Sequence, residues 1–232
     1  MIYLVKIFCL IFYFNVFISR INGKNVNNKN DFINDIKNGE EILSIENNII
    51  LDDHLVFNIT SKKFSITGSS NNSKLSFPNS NIISLFFLED CEEINFSNIS
   101  INGNLKFTNN KNIVFNNVKL NGYLISNNDD PFNKNLTIQI KDSELHLLDH
   151  HNGYEIYNYN LDVLNSEVYG NNISNLHLMK IENEKNYLTN INIDNSYFNG
   201  NYNNGAISIK YANVTCNNST FERFYSGNEL NR

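Results

Sequence analysis

The densest group of titratable side chains in the sequence is the segment DHHNG, residues 149–153, in which Asp149 precedes two adjacent histidines, His150 and His151. Imidazole and carboxylate groups in such a cluster could bind a metal ion or serve as a general base. Adjacent residues of a strand point to opposite faces, however, so the two histidines cannot both face one ion there. We therefore interpret DHHNG as an exposed loop and predict no metal and no cofactor.

Two pairs of neighbouring aspartates, Asp52-Asp53 and Asp129-Asp130, are the other candidates for acid–base chemistry. Two carboxyl groups at a suitable separation can hydrolyse a glycosidic bond. Neighbours on a strand again point apart, and the second pair, which precedes Pro131, is first of all a turn signal. We predict that neither pair is catalytic.

The elements that must position these side chains follow a repeat. Residues 93–103 read EINFSNISING, and residues 112–122 read NIVFNNVKLNG. The same frame recurs as TIQIKDSEL, NLDVLNSEVYG, NINIDNSYFNG and NVTCNNSTF, from residues 137, 160, 190 and 213. Between Ile94 and Val214, its five steps average 24 residues. Alternation of apolar residues on both sides of an Asn predicts two short strands joined by a tight bend.

One column of the repeat holds a bend residue that is always Asn or Asp. Its members are Asn98, Asn117, Asp142, Asn165, Asn195 and Asn218. These residue types best tolerate the left-handed backbone of a tight bend, and stacked copies can form a side-chain ladder. A third apolar segment often precedes the frame, as in LFFL (85–88), LKF (105–107) and AISI (206–209). Three short strands per repeat predict one coil of a parallel β-helix.

Over residues 41–232 the repeat resembles the right-handed, single-stranded parallel β-helix proteins of the pectate-lyase-like superfold, an all-β solenoid. Residues 30–40, NDFINDIKNGE, read as a short helix before Gly39, and such helices commonly cap the first coil in that family. The last residues, FERFYSGNELNR, contain no closing segment. An open last coil, a truncated sequence and pairing with another chain all remain open there.

The resemblance also implies what a catalytic member would contain. Lyases of this kind resemble one another in using Ca²⁺-binding carboxylates with an Arg or Lys base, and hydrolases in an NTD, DD, GHG, RxK series. After the first 23 residues the arginines are Arg223 and Arg232, both at the end of the chain, and NTD, GHG and RxK do not occur. A lysine such as Lys141 or Lys180 could stand in as the base, but a solvated lysine is the simpler interpretation. We predict that the protein is not an enzyme.

Two motifs near the end of the chain point to a different group of β-helices. FNGN (198–201) and GAI (205–207) resemble the FxxN and GGA[ILV] signatures of polymorphic outer-membrane and related surface proteins. One copy of each is present, and Asn204 replaces the first glycine of the second motif. The resemblance implies an adhesin-like role.

The first 23 residues predict the compartment. Lys6 precedes about 12 mostly apolar residues, which indicates a cleaved secretory signal over residues 1–23. The alternative, an uncleaved anchor, would need roughly 20 apolar residues. We therefore expect a secreted or cell-surface protein whose mature chain has no membrane span. The net charge of −6 argues against nucleic acid as a partner.

Cysteines and asparagines suggest further features. Cys91 and Cys216 lie five coils apart, roughly 24 Å at strand spacing, too far for a disulfide, and Cys216 is predicted to be a small core residue. The chain has nine N-x-Ser/Thr sequons, whereas its 50 asparagines and its Ser/Thr content predict about six, and we regard this excess as uninformative. Asn58, Asn135 and Asn172 are the better glycosylation candidates. Asn98 and Asn218, in the bend column, are expected to be too occluded.

The preferred functional hypothesis is a secreted, non-catalytic β-helix that acts in cell-surface adhesion, in extracellular matrix or in binding polysaccharide or other surface proteins. Rows of exposed amides and hydroxyls, with aromatic faces on Tyr154, Tyr157, Tyr202 or Tyr211, would contact the glycan. The alternative is a polysaccharide lyase or glycoside hydrolase with a non-standard active site, whose carboxylates would converge on one exposed sheet. A third hypothesis is a fragment of a larger surface scaffold.

Overall fold

The computed structural model describes residues 23–51, 54–57, 62–78, 82–88, 91–129, 135–148, 153–172, 177–185 and 188–225. Several predictions concern residues outside these ranges: the signal segment except Gly23, the pair Asp52-Asp53, Asn58, Asp130 and the segment 149–152.

A helix, α1, spans Lys29–Lys37. The side chain of Asn28 caps its first turn by accepting a hydrogen bond from the backbone N–H of Asp31 at 3.0 Å. The helix ends at Lys37 because Asn38 closes the last turn and Gly39 follows with a φ of +77°. The observed helix therefore starts one residue before the predicted segment 30–40 and ends before its Gly39. Phe32 is fully buried in the apolar core.

A 15-stranded sheet has two arms. The first arm is formed by β1 (Lys24–Val26), β2 (Ile42–Ile45), β5 (Lys63–Gly68), β8 (Glu93–Asn102), β10 (Asn112–Asn121), β12 (Thr137–Lys141), β15 (Asn160–Leu164), β18 (Thr189–Asp194) and β21 (Ala212–Asn217). The second arm is formed by β3 (Asn48–Ile50), β6 (Lys74–Ser76), the second halves of β8 and β10, β13 (Glu144–His146), β16 (Glu167–Tyr169), β19 (Tyr197–Asn199) and β22 (Thr220–Glu222).

A second sheet has seven strands. These are β4 (Leu55–Phe57), β7 (Ile83–Phe87), β9 (Asn104–Thr108), β11 (Leu124–Asn127), β14 (Tyr154–Tyr157), β17 (His177–Glu182) and β20 (Gly205–Lys210). The third apolar segments of the repeat, at 85–88, 105–107 and 206–209, coincide with β7, β9 and β20.

The strands pair in parallel, each with its equivalent one repeat later. Ile113 lies opposite Ile94 on one side and Ile138 on the other, and Ile191 lies opposite Val214. The predicted columns of the repeat are therefore paired as expected. The all-β class and the long parallel sheets are confirmed, and the arrangement is consistent with a β-helix-like solenoid.

Inward-facing side chains of both sheets form one apolar core. Equivalent aromatic residues stack between neighbouring repeats, and one repeat with its strands is called a coil. The ring centroids of Phe96 and Phe115 are 5.3 Å apart, and those of Phe87 and Phe107 are 5.1 Å apart. Alternation along each strand explains this arrangement, because every second side chain points inward. The outward positions of the same strands are left to form surface columns, which carry the candidate site.

Candidate functional site

The six bend residues lie where the two arms of the 15-stranded sheet meet. All six have a positive φ, between 46° and 54°, and all six are exposed. The amide nitrogen of Asn117 donates to Oδ1 of Asn98 at 2.8 Å, and that of Asn165 donates to Oδ1 of Asp142 at 3.2 Å. The expectation that Asn98 and Asn218 are occluded is therefore wrong, because the bend presents its side chains to solvent.

A column of serines directly after the bend fixes its geometry. The backbone N–H of Ser143 donates to Oγ of Ser166 at 3.1 Å, and the N–H of Ser166 donates to Oγ of Ser196 at 3.2 Å. Each of these hydroxyls also donates to a carbonyl two residues earlier in its own coil, as Ser166 does to Leu164 at 2.8 Å. The three serines are buried. Sequence reasoning missed this column, although Ser follows the bend residue in four of the six copies of the repeat.

A polar groove of about 520 Å³ runs along this bend. In the coil that contains β5 and β6, residues 69–73 replace the single-residue bend, and four of them, Ser69, Ser70, Asn71 and Ser73, form one wall. The floor and the far end come from Asn98, Asn117, Asp142, Lys119 and Glu144, which belong to three successive coils. Amides, hydroxyls and charged groups therefore surround a channel that follows the stack of coils.

The outward columns of the second arm continue from the groove as what we call the carboxylate–aromatic row. It consists of Glu144, His146, Glu167, Tyr169, Tyr197 and Glu222. Register sets Glu144 beside Glu167 and His146 beside Tyr169 on neighbouring coils. In β19, the next strand of this arm, Tyr197 lies opposite Glu167. The row thus combines three carboxylates and three aromatic rings on one exposed surface.

Contacts inside the row are dense. Lys119 Nζ lies 3.0 Å from Oε1 of Glu144, which also accepts a contact from Nε2 of His146. The rings of His146 and Tyr169 stack at 4.6 Å with an interplanar angle of 7°. The Tyr169 hydroxyl donates to Glu167, and the Tyr197 hydroxyl donates to Oε1 of Glu222 at 2.5 Å. The row is therefore an ordered hydrogen-bonded surface.

The electrostatics of the row follow from these contacts. Partial burial raises the pKa of the Glu144 carboxyl, but hydrogen bonds from His146 and Lys119 outweigh it, so the pKa lies below its ordinary value. The hydrogen bond to Glu167 raises the pKa of the Tyr169 hydroxyl well above its ordinary value. Glu144 is therefore ionised at neutral pH, and Tyr169 remains a donor.

The outward face of the seven-stranded sheet carries a different set of charges. Glu182 lies between Lys180 and Lys210, at 2.9 and 2.6 Å from their Nζ atoms. The Tyr157 hydroxyl donates to Glu155 at 2.8 Å. The hydrogen bond to Glu182 raises the pKa of Lys180. Lys180 is thus a protonated partner in an ion pair, which makes it a poor base for a lyase reaction.

Two of the other sequence-derived expectations are wrong. Tyr154, proposed as a glycan contact, is 1 % exposed, because it occupies an inward position of β14. Cys216, expected in the core, is exposed although its partner Ile193 is buried. Cys216 occupies an inward column. Within the described residues, however, its strand β21 pairs on one side only, with β18, and this leaves Cys216 exposed. Both Cys91 and Cys216 are free thiols, as expected.

The remaining predicted residues occupy separate surfaces. Tyr202 and Tyr211 are exposed, at 67 % and 53 %, and the sequons at Asn135 and Asn172 are exposed as well. Asp129 is exposed in the turn after β11, where it accepts a hydrogen bond from Asn127 at 2.7 Å. It lies outside the carboxylate–aromatic row.

Comparison with protein-family models finds no match, and comparison with curated proteins finds none either. Across the ranges that the structure describes, no three His, Cys, Asp or Glu side chains are grouped so that they could hold a metal ion. In the same ranges, no helix has the length and apolar character needed to cross a membrane.

Proposed function

We propose that the protein is a secreted, non-catalytic right-handed β-helix of the pectate-lyase-like kind that binds polysaccharide at a cell surface or in an extracellular matrix. In this proposal residues 1–23 direct secretion and α1 caps the first coil, as the buried Phe32 suggests. Other surface proteins are the alternative partner. No nucleic acid is expected, because the chain carries a net charge of −6.

The carboxylate–aromatic row beside the polar groove carries the proposal. Sugars are recognised by carboxylate and amide groups that exchange hydrogen bonds with their hydroxyls, together with aromatic side chains. The row supplies carboxylates at Glu144, Glu167 and Glu222, and the groove supplies amides at Asn98 and Asn117. These groups recur from coil to coil, which suits a polymer whose own units repeat.

A glycoside hydrolase is the second candidate, and one observation favours it. Glu144 and Glu167 lie in register on neighbouring coils, so their backbones are about 4.8 Å apart, and retaining hydrolases hold their two carboxyl groups roughly 5 Å apart. That mechanism needs one carboxyl to remain protonated. The pKa of Glu144 is lowered by its hydrogen bonds to His146 and Lys119, so Glu144 does not meet this requirement. Binding without cleavage is therefore preferred.

The test is a glycan array and a reducing-sugar assay on the full chain, with and without Ca²⁺. The variant Glu144→Gln/Glu167→Gln removes two carboxylates of the row. Asp162→Asn is the matched control, since Asp162 is a carboxylate on the other arm of the same sheet, where it accepts a hydrogen bond from Asn192 at 2.7 Å.

We expect the double variant to bind a glycan at least tenfold more weakly than wild type, and the control to bind as wild type does. No reducing ends should appear in any sample. Release of product by the wild-type chain, abolished in the double variant, would establish the hydrolase instead. Absence of binding to every polysaccharide would refute the proposal.

A further inference from the structure

We infer that Tyr202 is the stacking platform of the proposed glycan site and that its ligand is an uncharged glycan; this inference rests on the proposed function. Tyr202 is 67 % exposed, and its φ is +62°. Tyr211 shares both features, and Tyr202 differs from it by its contact with Arg223. A bulky side chain rarely adopts a left-handed backbone, because Cβ crowds the following carbonyl. Strained positions of this kind cluster at functional sites.

The turn that holds Tyr202 is tied down on both sides. The backbone N–H of Tyr202 donates to the carbonyl of Arg223 at 2.6 Å, and Asn201 Nδ2 donates to Oδ1 of Asn172 at 2.5 Å. The N–H of Tyr225 donates to the carbonyl of Asn204 at 2.8 Å. The ring is therefore presented by a fixed backbone, which limits the entropy lost when it stacks on a ligand.

Arg223 joins Tyr202 to the end of the carboxylate–aromatic row. Its guanidinium carbon lies 5.8 Å from the centre of the Tyr202 ring, and its Nε lies 3.3 Å from Oε1 of Glu222. Glu222 in turn accepts the hydroxyl of Tyr197. The contacts thus run without a break from the row to Tyr202, with one ring face covered by Arg223 and the side chain otherwise open to solvent.

Ring orientation explains why Tyr202 has this role. His146 and Tyr169 stack on each other at 4.6 Å, so each ring covers one face of the other, and the Tyr169 ring also meets that of Tyr197 edge-on. The rings of His146, Tyr169 and Tyr197 are only partly exposed, so they offer a sugar less open ring surface than Tyr202 does. Tyr202 presents a large exposed aromatic ring at the end of the row, to which Arg223 connects it. A sugar hydrogen-bonded along the row could therefore stack on Tyr202.

Charge defines the class of glycan. The groove and row contain the carboxylates of Asp142, Glu144, Glu167 and Glu222. Their cations, Lys119 and Arg223, are already paired with Glu144 and Glu222. A uronate polymer would meet uncompensated carboxylates and be repelled. The carboxylates of the row already accept hydrogen bonds from neighbouring side chains. We therefore expect the row to bind the hydroxyls of an uncharged glycan better than a polymer that carries many ammonium groups.

The experiment separates the role of the ring from the stability of the turn. Tyr202→Gly removes the platform and also relieves the left-handed strain, because glycine adopts positive φ freely. Tyr202→Phe keeps the ring. Tyr211→Gly is the matched control: Tyr211 is 53 % exposed with a φ of +54°, but it lies in the turn between β20 and β21. Binding to the full chain is measured calorimetrically with uncharged hexasaccharides of glucose, mannose and xylose, and with galacturonate and glucosamine hexamers.

We expect Tyr202→Gly to bind the uncharged hexasaccharide preferred by wild type about tenfold more weakly, with an unchanged or higher melting temperature. Tyr202→Phe should retain most of the affinity, and Tyr211→Gly all of it. Equal affinity of wild type and Tyr202→Gly would overturn the role of the ring, and tighter binding of either charged hexamer would overturn the ligand class. If wild type binds no hexasaccharide and no polysaccharide of the array, the proposed function itself fails.

Discussion

Replacement of Ser166 by alanine tests whether the buried serine column holds the bend together. The Ser166 hydroxyl accepts a hydrogen bond from the N–H of Ser143 at 3.1 Å and donates to the carbonyl of Leu164 at 2.8 Å. Ser166 is 1 % exposed and Ser143 is 4 % exposed. Ser166→Ala therefore leaves a buried donor without its acceptor, and water has little access to replace it.

The expected loss follows from these contacts. A buried donor left unsatisfied costs about 1–3 kcal/mol, and the hydroxyl also serves the Leu164 carbonyl, so we expect the free energy of unfolding to fall by about 2 kcal/mol. For a chain of this size that corresponds to a melting temperature lower by about 4–8 °C. The measurement is urea unfolding at 25 °C, in which the midpoint should fall at an unchanged slope.

Ser219→Ala is the matched control for this prediction. Ser219 occupies the same column, where its Oγ accepts from the N–H of Ser196 at 3.1 Å and donates to the carbonyl of Asn217 at 2.7 Å. Ser219 is partly exposed, so water can reach the N–H of Ser196 when the hydroxyl is removed, and the cost should be smaller than for Ser166, about 1 kcal/mol or less. If the two alanine variants unfold at the same urea concentration, burial of the column contributes nothing and the reasoning is wrong.

Two further predictions concern the bend and the row. Asn165 has a φ of +48°, so Asn165→Ala should lower the free energy of unfolding by about 1 kcal/mol more than Asn165→Gly does, as measured by urea midpoints; equal midpoints would show that the bend is unstrained. The pKa of Glu144 is lowered in the folded state, so its contribution is present above its ordinary pKa and is lost as the pH falls through the folded pKa. Glu144→Gln should therefore flatten the decrease in urea midpoint between pH 7 and pH 3, by less than about 1 kcal/mol because the side chain is 38 % exposed; an unchanged pH dependence would contradict the ion pair with Lys119.

Residues that alternate locally were predictable from the sequence. Ile113 and Phe115 face inward because an apolar side chain recurs every second residue, and their coils align because each carries Asn or Asp at the same place. Both signals lie within one repeat. The pairing of these columns could therefore be read without knowing any long-range contact.

The coils before Ile94 show where this signal ends. Ile66 pairs with Leu43 on one side and Phe96 on the other, so β2 and β5 extend the same sheet. In the coil of β5, residues 69–73 replace the single Asn bend, and the step from Phe64 to Ile94 is 30 residues. Without the bend residue no copy of the frame is visible there. The same insertion creates the wall of the groove, so the missing motif coincides with a functional candidate.

The carboxylate–aromatic row was harder to anticipate, for a reason of geometry. Outward residues do not alternate in hydrophobicity, so nothing in one coil marks them. Their contacts depend on the register between coils, which is set by turns of different lengths: Glu144 and Glu167 are 23 residues apart, whereas Glu167 and Tyr197 are 30 residues apart. The signal was nonetheless present, since ELH at 144–146 and EVY at 167–169 occupy equivalent places in two aligned repeats.

A surface built in this way separates stability from recognition. Inward columns and the buried serine column fix the backbone, so an outward residue can change without loss of the core, as at Glu167 and Tyr197, which share one outward column. A changed outward residue then lowers the stability of the fold only where it needs an unusual backbone conformation. Tyr202 is such a place, because its left-handed φ is unfavourable for the fold and glycine would relieve it. Tyr211 carries a similar cost, but Tyr202 is also connected through Arg223 to an ordered row of carboxylates and rings, and this connection is the reason why we propose a ligand for Tyr202.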